Sequence, residues 1–160
     1  MKNILGIFLV FTFSFSIQAS EPDAILGFWF ADKGKSKIEI YKCKTEYCGR
    51  IVWLEEPNYP NNDDKGMAGL VKVDRENENE ELRTRPIVGL DIVTGFVFDK
   101  SSEYQDEEER DAPSWTDGKI YDPRNGKMYS CNMALTNSKQ LEVNGYVGIP
   151  LFGRTVTWVR

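Results

Sequence analysis

Hydrophobic and polar positions alternate over short stretches along most of the chain, the period of two expected of strands with one buried face. Eight stretches carry the pattern, residues 25–30, 36–43, 48–54, 92–98, 118–122, 127–136, 140–147 and 154–159, all rich in β-branched or aromatic side chains. Turn residues separate them. Asn125-Gly126 is the strongest such signal, because its left-handed dihedrals suit a tight hairpin, and Asn137-Ser138-Lys139 closes the next one. About eight strands in meander order predict an all-β fold, an antiparallel up-and-down barrel, rather than alternating β and α layers. One short helix is expected over 77–83, with Asp74 or Asn77 near its start and Pro86 beyond its end. It falls in a polar connection over 55–84, long enough to be either a lid or a disordered excursion.

The first 19 residues read differently. Met1, Lys2 and Asn3 precede an uncharged apolar run over 4–17, and Ile17-Gln18-Ala19 offers small-residue cleavage chemistry, so a secretory signal peptide cut after Ala19 is expected. The run holds 14 residues, short of the roughly 20 that a spanning helix needs. The mature chain, 20–160, is then a single exported domain, periplasmic or secreted, with no membrane span. Its length is enough for one core.

Export changes the reading of the cysteines. Cys43 and Cys48 flank four residues between two alternating segments, which in an oxidising compartment favours a disulfide across the end of a hairpin. The strand faces then follow: Glu39, Tyr41, Cys43, Cys48, Arg50 and Val52 outward, Ile38, Ile40, Ile51 and Trp53 inward. Cys131 is left over as a buried free thiol.

At the chain ends, Gly27-Phe28-Trp29 resembles the Gly-x-Trp feature on the first strand of lipocalins and related barrels. That resemblance implies a tryptophan sealing the closed end beneath an arginine of the last strand, here Arg160 or Arg154, in a cation–π contact. The other reading of Trp29 is an ordinary core aromatic. Four further blocks are similar to an uncharacterised bacterial family, domain of unknown function 2147: residues 48–54, Leu82-Arg83-Thr84-Arg85-Pro86 with Gly89-Leu90, residues 118–123, and Gly145-Tyr146-Val147-Gly148 leading into Leu151-Phe152-Gly153-Arg154-Thr155. The resemblance implies small exported proteins of one β-rich domain, and brings no activity, cofactor or catalytic residue with it. The acidic stretch 103–111 looks like a local elaboration of the pattern.

Composition narrows the chemistry. There is no histidine, so the commonest general base, the Ser-His-Asp and Cys-His systems and the commonest zinc ligand are excluded. The formal net charge of -5, one unit more negative once Lys2 is removed, argues against nucleic acid as a partner. Carboxylates cluster at 103–111 and at Glu76, Glu78, Glu80 and Glu81, but neither cluster has calcium-loop spacing. The segment 61–72 comes closer, with Asp63 third and Gly66 sixth, yet it ends in Lys72 where the bidentate acid belongs. No metal or cofactor is expected.

Arginines beside apolar neighbours can hold a carboxylate or phosphate bidentately. Arg50, Trp53, Arg83, Arg85, Asp122, Tyr146 and Arg154 are the candidate ligand-binding residues, with Asp91 and Tyr121 as partners for the arginines; the same arginines could instead tie the long connection to the barrel. Residues 145–153 form a glycine-rich rim loop or a merely tight connection. Three functions follow: a non-catalytic barrel, monomeric, that binds a small apolar or amphipathic ligand; an acidic protein-binding or inhibitor module of the cell envelope; and a hydrolase working through carboxylates, for which no nucleophile motif is present.

Overall fold

The computed structural model describes residues 22–100 and 112–160. Eight antiparallel strands, β1 (Gly27–Ala31), β2 (Ser36–Cys43), β3 (Glu46–Leu54), β4 (Asp91–Phe98), β5 (Ser114–Asp122), β6 (Lys127–Asn137), β7 (Gln140–Tyr146) and β8 (Arg154–Val159), follow one another around a closed barrel. Closure between β8 and β1 is narrow, with Phe30 opposite Val159. The expected signal peptide and the acidic stretch 103–111 lie outside the described residues. No described helix is long and apolar enough to cross a membrane.

Register explains where the alternation holds. Ile38, Ile40 and Ile51 are buried, and Glu39 pairs with Arg50 on the outer face. Trp53 contradicts the simple alternation: it is 44% exposed and points outward. The cause is a bulge. Ile38 pairs with Ile51 but Lys37 pairs with Trp53, so Val52 is the extra residue, and one inserted residue moves everything beyond it to the opposite face. A second irregularity lies between Trp115 and Gly118 in β5, where Asp117 has φ 62° and its neighbour in β4, Gly95, has φ 75°.

The turns are tighter or longer than their sequence signals suggest. β3 starts at Glu46, so the disulfide hairpin turns on Lys44 and Thr45 alone, with Lys44 at φ 61°. The Cys43–Cys48 disulfide is formed, with Cα atoms 5.8 Å apart. Between β5 and β6 the turn spans four residues rather than two. Gly126, at φ 72°, closes it by donating to Asp122 O at 2.9 Å. The helix expected over 77–83 is only a 3-10 turn, Glu80–Leu82. Its first carbonyl is diverted, since Arg83 Nε donates to Asn77 O at 2.7 Å, and the segment has no apolar stripe to pack.

Connections alternate between the two ends of the barrel. At one end the chain enters through a 3-10 turn, Pro22–Ile25, which is stitched down from several sides. Trp29 Nε1 donates to Ile25 O at 2.8 Å and Trp115 Nε1 to Pro22 O at 3.1 Å. Arg160 lies over the Trp29 ring, its Cζ 4.2 Å from the centroid, and donates to Ala24 O, Leu26 O and Ser138 O. Asp23 accepts from Tyr47 Oη at 2.7 Å and pairs with Lys42. This end is closed.

Candidate functional site

Above the closed end the barrel is filled by its own side chains. Trp29, Phe96, Trp115 and Leu141 have no exposed surface, and Met133, Val143 and Trp158 almost none. Trp115 meets Phe98 edge-on at 5.4 Å. Gly118 shows how tightly the middle is packed: a Cβ there would fall 2.2 Å from two carbons of the Phe96 ring. Eight-stranded barrels are just wide enough to be filled in this way.

Near the other end the inward positions change character. The register sets Gly118 opposite Cys131, Cys131 opposite Gly145 and Gly145 opposite Arg154, an inward row of three small residues that ends in an arginine. The next inward pair, Ile120 and Tyr129, is only half-buried. Val156, inward by its pairing with fully buried Val143, is 39% exposed. Inward side chains that reach solvent define a mouth. Arg154 is exposed at this mouth, and no hydrogen bond or ion pair engages it among the described residues. Beside it run Val147 and Ile149 in the β7–β8 loop, both exposed.

The β5–β6 turn forms part of the same rim. Asp122 accepts from the Arg124 backbone and, through both oxygens, from its guanidinium at 2.9 and 3.0 Å. Burial pushes the Asp122 carboxyl up, but the hydrogen bonds from Arg124 outweigh it and hold it below the usual range. The Arg124 guanidinium is held further into its charged form by Asp122, and also feels Asp32 in the β1–β2 turn at the same end. Asn125 Nδ2 donates to Tyr129 Oη at 3.0 Å.

The long connection packs on the outward face of β5 at Tyr121. It is pinned against β5 by the buried carboxylate of Asp74, which accepts from Tyr121 Oη at 2.6 Å, Asn77 Nδ2 at 2.8 Å, and Arg85 Nε and Nη2 at 3.0 and 2.9 Å. Tyr121 lies on the opposite face of β5 from Ile120 and is nonetheless buried, because Asp74 and Asn77 cover it. Burial, then the hydrogen bond to Asp74, pushes its hydroxyl up to about 12. Further along, Asp63 accepts from the backbones of Lys65 and Met67 and from Arg75 Nη1, and the Arg75 guanidinium sits 4.1 Å from the Tyr59 ring centroid. The carboxylate nearest to calcium-loop spacing is thus occupied by protein donors, and no metal-competent cluster occurs among the described residues.

The seven candidate residues therefore fall in different places. Arg50 lies on the outer face, bound to Glu39 at 2.8 Å and 4.9 Å from the Tyr41 ring centroid. Trp53 is on the outside too. Arg83 and Arg85 bind the connection to itself, and Arg85 walls an outer depression of about 320 Å³ together with Asp91, whose carboxylate accepts from Tyr41 Oη. Asp122, Tyr146 and Arg154 are at the mouth end; Tyr146, one residue after inward Gly145, points outward. Sequence reasoning missed Ile120, Tyr129 and Val156. Alternation marks such residues as inward but says nothing of solvent reaching them.

A family model described as an uncharacterised protein conserved in bacteria, DUF2147, matches residues 27–160. No curated protein matches significantly. Among solved structures, the chain is similar to protein HP1028 from the human pathogen Helicobacter pylori, described as belonging to the lipocalin family, at 21% identity and a TM-score of 0.60, over 85% of this chain and 82% of that one. At this identity the likeness speaks for the fold.

Proposed function

Because the chain belongs to the uncharacterised bacterial family DUF2147 and closes into a lipocalin-like barrel, we propose that it is an exported, non-catalytic binder of a small amphipathic anion, held at the mouth rather than in the barrel centre. One observation carries the reading: Arg154, without a side-chain partner among the described residues, stands on the inward face at the end of a row of small residues, beside solvent-reached Ile120, Tyr129 and Val156. A guanidinium there can take a carboxylate or phosphate bidentately while the apolar body of the ligand covers the half-buried side chains. Such a ligand gains from both ends. The filled interior argues against a wholly enclosed apolar ligand, since no room is left beneath Phe96. The Cys43–Cys48 disulfide supports export to an oxidising compartment.

The acidic protein-binding reading has less behind it. Its densest segment, 103–111, lies outside the described residues, and Glu76 and Glu80 of the second cluster are engaged by Lys65, Arg75 and Arg83. The hydrolase reading finds Asp74 and Asp122 committed to structural donors.

The test is titration with dodecanoate and dodecyl phosphate, followed by native mass spectrometry. Arg154→Ala is expected to weaken binding by about ten-fold or more, the worth of a charge-assisted bidentate contact. Equal binding by wild type and variant, or no binding by the wild type, refutes the proposal.

A further inference from the structure

The β7–β8 loop, residues 147–153, carries no charge and presents the most exposed large apolar side chains of the described chain: Leu151 at 83%, Phe152 at 78% and Val147 at 75%, with Ile149 at 53%. Scattered exposed hydrophobic residues are ordinary, but four on one seven-residue loop are not. Pro150 opens a 3-10 turn, Pro150–Phe152, so the fold holds these side chains outward in a defined shape.

The turn at the tip of the loop is held by its own backbone. Phe152 N donates to Ile149 O at 3.2 Å and Gly153 N to Pro150 O at 2.9 Å, and Asn144 Nδ2 reaches Pro150 O at 3.3 Å. These bonds shorten the list of polar groups that shallow insertion among the headgroups would have to leave to water. Tyr146 and Arg154 flank the loop, and these residue types favour the boundary between headgroups and acyl chains.

We propose that this loop is a lipid-docking tip, which inserts Val147, Ile149, Leu151 and Phe152 into the surface of a bilayer. A bilayer suits it better than a protein partner does. Its apolar side chains stand on one short uncharged loop, while the neighbouring turn carries Asp122, Arg124, Asn125 and Lys127, polar groups suited to the headgroup layer around an inserted tip. A net charge of -5 opposes anionic surfaces, so a zwitterionic bilayer is the matching one and the binding is driven by apolar contact rather than by charge. The inference does not depend on what Arg154 binds.

The experiment is flotation of the exported protein, its N-terminus identified by mass spectrometry, with phosphatidylcholine vesicles at low and high salt. The wild type is expected to float, and to do so undiminished by salt. The double variant Leu151→Asp/Phe152→Asp should float about ten-fold less or worse, as follows from losing two inserted apolar side chains. Unchanged near-ultraviolet circular dichroism would show that the variant stays folded, as both sites are exposed. Val147→Asp provides an independent variant, and Leu151→Trp should give a blue-shifted emission on mixing with vesicles. Failure of the wild type to float, equal flotation of wild type and double variant, or a tip-dependent dimer in light scattering without flotation would each overturn the proposal.

Discussion

Gly118→Ala probes the packing that confines any ligand to the mouth. The new methyl group would lie 2.2 Å from Cδ2 and Cε2 of Phe96 and 2.3 Å from Cζ, where ordinary carbon contacts are about 3.5–4.0 Å. The ring would have to retreat by more than an ångström. It has nowhere to go, since Phe96, Trp29 and Trp115 are all fully buried. Overpacking of this kind costs about 1–3 kcal/mol, and the severity of the overlap with a rigid ring places Gly118→Ala at the upper end, about 3 kcal/mol. Against a total stability of about 5–15 kcal/mol, that is a large fraction. A domain of this size would lose on the order of 10 °C in melting temperature. Urea unfolding followed by tryptophan fluorescence measures it, with the double variant Gly118→Ala/Phe96→Leu as the control. Loss of the ring removes the clash, so the double variant should be much less destabilised than the sum of the two single changes. A Gly118→Ala protein within about 0.5 kcal/mol of wild type, the range of neutral surface changes, or strict additivity in the cycle, would refute the packing described here.

Arg85→Ala should destabilise by about 3 kcal/mol because it strands the buried Asp74 carboxylate, whereas Arg50→Ala, which breaks an exposed pair with Glu39, should cost less than about 1 kcal/mol; similar values from urea unfolding would contradict the distinction. Cys131 has no exposed surface, and burial pushes its thiol up to about 12, so iodoacetamide should leave it unmodified in the native protein at neutral pH and alkylate it in urea, as mass spectrometry would report. Tyr121 has a folded pKa raised from 10.0 to about 12, so its contribution to stability is complete below pH 10 and is lost as pH rises towards 12. Tyr121→Phe should be less stable at neutral pH but should show a shallower alkaline decline in a pH series of unfolding curves; an unchanged decline would contradict the assignment.

Alternation was readable for most strands because one face of each is buried, and strands such as Ser36–Cys43 and Arg154–Val159 have the bounds that the pattern predicts. Trp53 is turned outward by a bulge at Val52, and a bulge leaves no mark in a run as uniformly β-favouring as residues 51–54. The turn at Gly126 needs only one left-handed residue because the Asp122 carbonyl accepts from both Asn125 and Gly126. Long-range polar contacts were opaque. Nothing local to Asp74, in a segment dense with acids, marks it as the buried acceptor for Tyr121, 47 residues away. The mouth was equally hidden, since its inward residues differ from core residues only in what the opposite side of the barrel leaves uncovered.

Residue-resolved NMR of the labelled protein titrated with dodecanoate would locate the bound ligand on the barrel. Binding at the mouth predicts chemical-shift changes at Ile120, Tyr129, Gly145, Arg154 and Val156, abolished by Arg154→Ala, with the indole signals of Trp29 and Trp115 unmoved. Shifts centred on Trp29, Trp115 and Leu141 would mean that the barrel interior opens to admit the ligand, and would overturn binding at the mouth.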